Sequence, residues 1–147
     1  MSCRSLLKFI IPTAILLASV PAWAESRMAL VIGQSAYKSV PALPNPGNDA
    51  KAMSRLLTDS GFEVSQAADL SQNEMRAAIS DFAGKVAAKG PDTVALVFYA
   101  GHGIQVGGKN YLIPVDAEIP REDEIDFNAL NLDLVMRKMA TANNGLN

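Results

Sequence analysis

Residues 93–103 read Thr93-Val-Ala-Leu-Val-Phe-Tyr-Ala-Gly-His-Gly103. Val94 to Phe98 are apolar without a break, and Tyr99 and Ala100 lead into a Gly-His-Gly corner. A run that is apolar on both faces and rich in Val and Phe predicts a strand fully buried in a parallel sheet. The corner carries His102, the only histidine of the chain. Gly101 and Gly103 allow a sharp bend around it and leave backbone amides open to a ligand. A titratable ring just past the carboxyl end of a parallel strand lies where open α/β sheets bind their ligands.

Upstream, Arg27-Met-Ala-Leu-Val-Ile-Gly33 is a second apolar run ending in glycine, and predicts another strand buried on both faces. Gln34 to Gly47 holds Pro41, Pro44 and Pro46 and reads as a loop. A helix opens at Asn48 or just before it, with Ala50, Met53, Leu56 and Leu57 on its apolar face and Gly61 as its stop. Phe62 to Ala67 alternates weakly, as an edge strand does. Ser71-Gln-Asn-Glu74 has capping-box spacing, and Met75, Ile79, Phe82 and Val86 follow at helical intervals as far as Lys89. Strand, helix, strand, helix, strand in alternation marks an α/β fold with a parallel sheet.

Downstream, Gly107-Gly108 separates two short apolar segments, which is a hairpin signal. Asp116 to Asp126 is acidic and irregular. Asn131 is placed to cap a last helix through Val135, Met136 and Met139, ended by Asn143-Asn-Gly145.

The chain has 147 residues, enough for one domain, and 49% of them are hydrophobic, enough for a core. Residues 1–24 stand apart. Arg4 and Lys8 precede an apolar run from Phe9 to Val20, and Ala22-Trp-Ala24 is an A-x-A cleavage site. The segment reads as a secretory signal peptide, so residues 25–147 form the mature protein, and a bacterial periplasm is the expected location, with no membrane attachment after cleavage. Removing Arg4 and Lys8 takes the net charge from −2 to −4. No basic face stands out, so no nucleic-acid partner is expected. The only cysteine is Cys3, inside the leader, so the mature chain is expected to form no disulfide and to have no thiol of its own.

Asn48-Asp49-Ala50 at a helix start, Tyr99-Ala-Gly-His-Gly103 at a strand end, and Tyr111-Leu-Ile-Pro-Val-Asp116 after a hairpin together resemble the caspase-like clan of cysteine peptidases, and most closely its bacterial, metacaspase-related members. Three motifs in order, each in the right context, are far more specific than any one of them. The resemblance implies a three-layer α/β sandwich with a mostly parallel sheet and helices on both faces. It implies a cysteine-type endopeptidase acting on protein or peptide substrates, with no cofactor. In that family the histidine after the third strand is general base and acid for a cysteine thiolate, and the glycine after it lends its amide to the oxyanion; His102 and Gly103 match these positions. Asp49 matches an acidic residue that lines a pocket for Arg or Lys before the cut; on its own chemistry it equally suits the positive end of a helix. No arginine lies in Ala36-Tyr-Lys38, so a preference for aspartate is not expected.

Two departures bear on activity. The family cysteine follows the histidine by about 50 residues, which places it at about position 152, past Asn147. Residues 25–147 are therefore expected to be the N-terminal part of such a domain, incomplete at the C-terminus and short of the strand that bears the nucleophile. A catalytically inactive remnant that binds partner proteins through its exposed sheet edge is the alternative expectation. The second departure is Ala100, where many metacaspases have serine. The acidic run Asp116, Glu118, Glu122, Asp123, Glu124 and Asp126 lacks the regular oxygen spacing of a calcium loop and reads as a solvated surface; no metal is expected. Gly101-x-Gly103 has Val106 where a dinucleotide fingerprint needs a third glycine, and no Gly-x-Ser-x-Gly is present.

Overall fold

The computed structural model describes residues 25–142. The leader and Asn143-Asn-Gly145 lie outside the described residues. Strand β1 (Ser26–Gly33) runs up the middle of a three-stranded parallel sheet of order β2-β1-β3. Its neighbours are β2 (Glu63–Ala68) and β3 (Thr93–Ala100), both parallel to it. The two faces of β1 explain its unbroken apolar sequence. Met28, Leu30 and Ile32 enter one core with Met75, Ile79, Phe82 and Val86, while Ala29 and Val31 enter another with Ala50 and Leu57. Helix α1 (Pro46–Asp59) thus covers one face, and α2 (Gln72–Lys89) the other. The result is a three-layer α/β sandwich.

The predicted capping box is present. Ser71 Oγ accepts from the Glu74 amide, and the Glu74 carboxylate accepts from the Ser71 amide. Helix α1 starts with Pro46 as its first residue, where a missing N–H does no harm. Its buried face is Pro46, Ala50, Ser54 and Leu57, so Leu56 is 60% exposed, contrary to expectation. Leu57, one 100° step round the helix, is in the core as expected.

β3 is half-buried, not fully buried as its sequence predicts. Only Thr93 and Ala95 are sequestered, and Val94 and Leu96 to Ala100 are partly exposed. The cause is topological: β3 is the last strand on its side of the sheet among the described residues, so one row of backbone groups and the side chains along it lack a neighbour. β2, the opposite edge, matches its weak alternation.

A second, antiparallel sheet of order β4-β5-β6 follows. It comprises β4 (Gly103–Val106), β5 (Lys109–Leu112) and the two-residue β6 (Leu130–Asn131). Gly107 and Gly108 make the two-residue turn with φ of 56° and 77°, the left-handed pair that a tight hairpin requires. The acidic segment is more ordered than its sequence suggests: a 3-10 turn (Glu122–Glu124) runs into a single-turn helix α3 (Ile125–Asn128). Asn131 caps α4 (Leu132–Thr141) by accepting from the Asp133 amide. Val135 and Met139 of α4 are buried beside α2, whereas Met136 faces outward, 53% exposed.

Candidate active site

The strand order 2-1-3 reverses direction between β1 and β3, and the crevice at their carboxyl ends is the natural ligand position. Both chain segments leaving those ends build the site. The Gln34 amide donates to the Ala100 carbonyl (2.8 Å), tying the two strand ends together. Beyond this point β1 continues into the loop 34–45, and β3 into Gly101-His-Gly103.

His102 has its backbone fixed at both polar atoms. Its amide donates to Tyr37 Oη (2.7 Å). Its carbonyl accepts from Tyr99 Oη (2.8 Å) and from the Ile113 amide (3.1 Å). The two phenol oxygens are 3.2 Å apart. Their proton order follows from the partners. Tyr99 faces two carbonyls, those of His102 and Ile113 (2.9 Å), which can only accept, so its proton goes there and Tyr37 donates to Tyr99. Burial pushes both phenols above the ordinary tyrosine range, most strongly at Tyr99, so both stay protonated donors at neutral pH.

The imidazole packs against the Tyr37 ring, with centroids 4.6 Å apart and planes tilted by 59°. Its Nε2 lies 2.9 Å from the Pro41 carbonyl. A carbonyl cannot donate, so Nε2 carries the proton of the neutral ring and Nδ1 is the basic nitrogen. Among the described residues Nδ1 has no hydrogen-bond partner. The proline-rich loop thus sets the tautomer. Its shape is held by Lys38 N to Val115 O (2.9 Å), Leu43 N to Ser35 O (3.1 Å), and the Asp69 carboxylate, which accepts from the Ser35 and Ala36 amides.

Gly101 is glycine because nothing else fits. A Cβ there would lie 2.5 Å from Tyr37 Oη, 2.7 Å from Tyr99 Oη and 2.9 Å from Gln34 Cβ. The chain bends here, as the sequence predicts, but without a positive φ, so close packing is what demands glycine. Gly103 differs: a Cβ would meet only the Tyr111 carbonyl, at 3.4 Å. Its amide is set by hairpin register. Ile113 N bonds to His102 O, so those two residues form a hydrogen-bonded pair, and the next pair, Gly103 with Leu112, is a non-bonded one. In such a pair the backbone groups point away from the partner strand. The Gly103 N–H therefore faces outward, on an exposed residue beside the imidazole.

His102 and Gly103 follow the end of β3, and Asp49 is carried by the helix that follows the loop leaving the end of β1. Asp49 lies in the first turn of α1, exposed, and its carboxylate has no hydrogen bond or ion pair among the described residues. Of the acidic run, Asp116 accepts from the Gln72 amide (2.9 Å) at the start of α2, and Asp126 accepts from Tyr111 Oη (2.6 Å), which raises that phenol's pKa.

Gln34, Tyr37 and Pro41 were not singled out from sequence. Gln34 is fully buried, and its amide grips Leu70 twice, donating to the carbonyl and accepting from the N–H, both at 2.7 Å. The Leu70 carbonyl also accepts from the Val115 amide (3.1 Å), so the backbone of this one residue joins the end of β1, the α2 entry and the segment after β5. The only available signal was a polar residue directly after an apolar run, which is common at any strand end.

A family model described as Peptidase_C14, caspase domain, matches residues 26–144. Human mucosa-associated lymphoid tissue lymphoma translocation protein 1 is 34% identical over 124 residues, covering 84% of this chain and 14% of that protein. Its mouse homologue is 33% identical over the same length. Pig caspase-1 is 31% identical over 111 residues, covering 73% of this chain and 26% of that protein. The chain thus spans a minor fraction of the length of these relatives.

Proposed function

The chain belongs to the caspase domain family, and on that premise we propose that it is the histidine-bearing part of a cysteine endopeptidase site. His102 is the base and acid, and Gly103 an oxyanion donor. The observation that carries the reading is the Pro41 carbonyl on Nε2, which leaves Nδ1 basic and unpartnered beside an outward amide. Nδ1 would take the proton of a cysteine thiol as sulfur attacks the scissile carbonyl. The new oxyanion would accept the Gly103 N–H, and collapse would break the C–N bond, with the imidazolium returning its proton to the leaving amine. Water, deprotonated by the same nitrogen, would then release the acyl group. A donor aimed at the oxyanion is worth roughly 3–4 kcal/mol of barrier.

The sulfur must come from outside residues 25–147, which contain no cysteine. The test is to read the coding DNA past the Asn147 codon and express the frame found there. Turnover of Arg- or Lys-containing peptide reporters, abolished by His102→Ala and by a thiol alkylator, supports the proposal. Turnover insensitive to both overturns it. A stop codon with no cysteine-bearing strand favours the second reading, a non-catalytic caspase domain that binds proteins. The β3 edge, which has no neighbouring strand among the described residues, favours that reading. An apolar groove of about 480 Å3 lies along it, lined by Val94, Leu96, Leu112, Leu132, Val135 and Met136 among others.

A basic side chain before the cut is part of the proposal and rests on Asp49. Because this carboxylate is exposed and unpaired among the described residues, it is free to meet a substrate cation, at the modest gain of a solvated pair. Asp49→Asn is expected to raise KM for Arg and Lys reporters severalfold with kcat little changed. Export is proposed on the leader alone; an N-terminus at Glu25, read by mass spectrometry of the secreted protein, would support it.

A further inference from the structure

We infer that Asp69 is a positioning residue for His102: its carboxylate fixes the start of the loop 34–45, and through it the Pro41 carbonyl and the Tyr37 ring that hold the imidazole. The catalytic consequence rests on the peptidase reading. Asp69 directly follows β2, which β1 separates from β3, so it acts from across the sheet. Among the described residues it is the one non-glycine with a positive φ, 52°. The left-handed region crowds a Cβ against the backbone, and Asp and Asn are the side chains that enter it most readily. A residue stays there only where its surroundings over-determine it, and such positions cluster at functional sites. The Asp69 amide donates to the Gly33 carbonyl (3.0 Å), and Gln34 brackets the next residue, Leu70, at both backbone atoms. These bonds already join the exits of β1 and β2, so the Asp69 side chain is left for another task.

That task is the loop. Asp69 Oδ1 accepts from the Ser35 amide (2.7 Å) and from the Ala36 amide (2.9 Å), two charge-assisted bonds on one oxygen. Ser35 passes the constraint on through its remaining polar atoms. Its carbonyl accepts from the Leu43 amide (3.1 Å) and its Oγ from the Gly47 amide (3.2 Å), which closes the loop on itself with Pro41 inside. Ala36 leads directly into Tyr37, whose Oη takes the His102 amide and whose ring packs on the imidazole. Residues 34–45 contain no helix or strand, so these bonds, and not a repeating ladder, set where the Pro41 carbonyl stands. That carbonyl is 2.9 Å from Nε2 and decides which ring nitrogen is basic. Without the carboxylate, the Ser35 and Ala36 amides turn to water, and both partners of the ring lose their anchor.

The test is made on the 15N-labelled protein, in which His102 is the only histidine, so its ring signals stand alone. Asp69→Gly keeps the positive φ without a Cβ and deletes the acceptor. Asp69→Asn keeps both, since its Oδ1 still accepts and asparagine enters the left-handed region. With the ring neutral at high pH, the parent should show a protonated-type shift at Nε2, an unprotonated-type shift at Nδ1, and a nuclear Overhauser contact between the His102 and Tyr37 rings. In Asp69→Gly the two nitrogen shifts are expected to move towards each other as tautomers mix, and the ring contact to be lost, with the urea midpoint little changed. Asp69→Asn should match the parent. A residue that served only the fold would lower the midpoint and leave the ring signals where they were. Unchanged ring signals in Asp69→Gly, equal losses in Asp69→Asn and Asp69→Gly, or an Asp69→Gly protein that is unfolded each overturns the inference. In the frame extended past Asn147, Asp69→Gly is expected to lower kcat roughly ten- to hundredfold with KM little changed. Turnover that needs His102 but ignores Asp69→Gly removes the positioning role and leaves the endopeptidase standing. A ring released by Asp69→Gly in a chain without His102-dependent turnover keeps the positioning role and removes the endopeptidase.

Discussion

At the scale of single residues, the two glycines that flank His102 do different work. Gly101 is boxed in by two phenol oxygens, so Gly101→Ala must push Tyr37 and Tyr99 apart and break the hydroxyl chain that holds the His102 backbone. It is expected to cost about 1–3 kcal/mol, as overpacking in a tight site does, read as a drop in urea midpoint. Gly103→Ala meets only one carbonyl at ordinary contact distance, so its midpoint should stay within about 0.5–1 kcal/mol of the parent. Its effect would fall instead on access to the outward amide. A result in which the two substitutions are equally destabilising would contradict this division.

At the scale of elements, α2 tests how charge supports a helix start. Hydrogen bonds from the Ser71 hydroxyl and amide hold the Glu74 carboxyl below its ordinary value of 4.5. A depressed folded-state pKa gives stability that is present above the unfolded value and is lost as pH falls through the folded one. The urea-midpoint gap between the parent and Glu74→Gln should therefore be constant above about pH 5–6 and close on further acidification. Ser71→Ala removes the cap itself and is expected to cost about 1 kcal/mol. This helix was legible in sequence because its signals are local: a cap, its partner three residues on, and an apolar stripe of Met75, Ile79, Phe82 and Val86. The Gly107-Gly108 turn and the Asn131 cap were legible for the same reason. The burial of β3 was misjudged because apolar sequence reports what a strand tolerates, whereas burial depends on neighbours in the sheet. The hydroxyl chain was invisible because Tyr37 and Tyr99 are 62 residues apart and meet only in the fold. His102 and Gly103 could be picked out from their motif, but the tautomer could not, because it is set by a proline carbonyl in a loop whose sequence signals only irregularity.

At the scale of the whole molecule, the open side of the larger sheet dominates. Among the described residues, β3 joins an unpaired strand edge to an apolar groove, the combination that most strongly invites association between chains. Residues 25–147 are expected to self-associate at micromolar concentrations, and Val94→Lys, which puts a charge on that edge, should return them to monomer in sedimentation velocity. Monomeric parent protein at the same concentration would show the edge to be covered. The carboxyl end of that sheet is tied down at the Leu70 backbone, where Gln34 and Val115 converge on main-chain atoms. Alanine at Leu70 would pass over that junction, since trimming its side chain leaves every one of those bonds in place, whereas Gln34→Ala would remove two of the three. A change in the polymer itself, an ester in place of the Asp69–Leu70 amide, would delete the N–H alone and show how far the active-site loops depend on it.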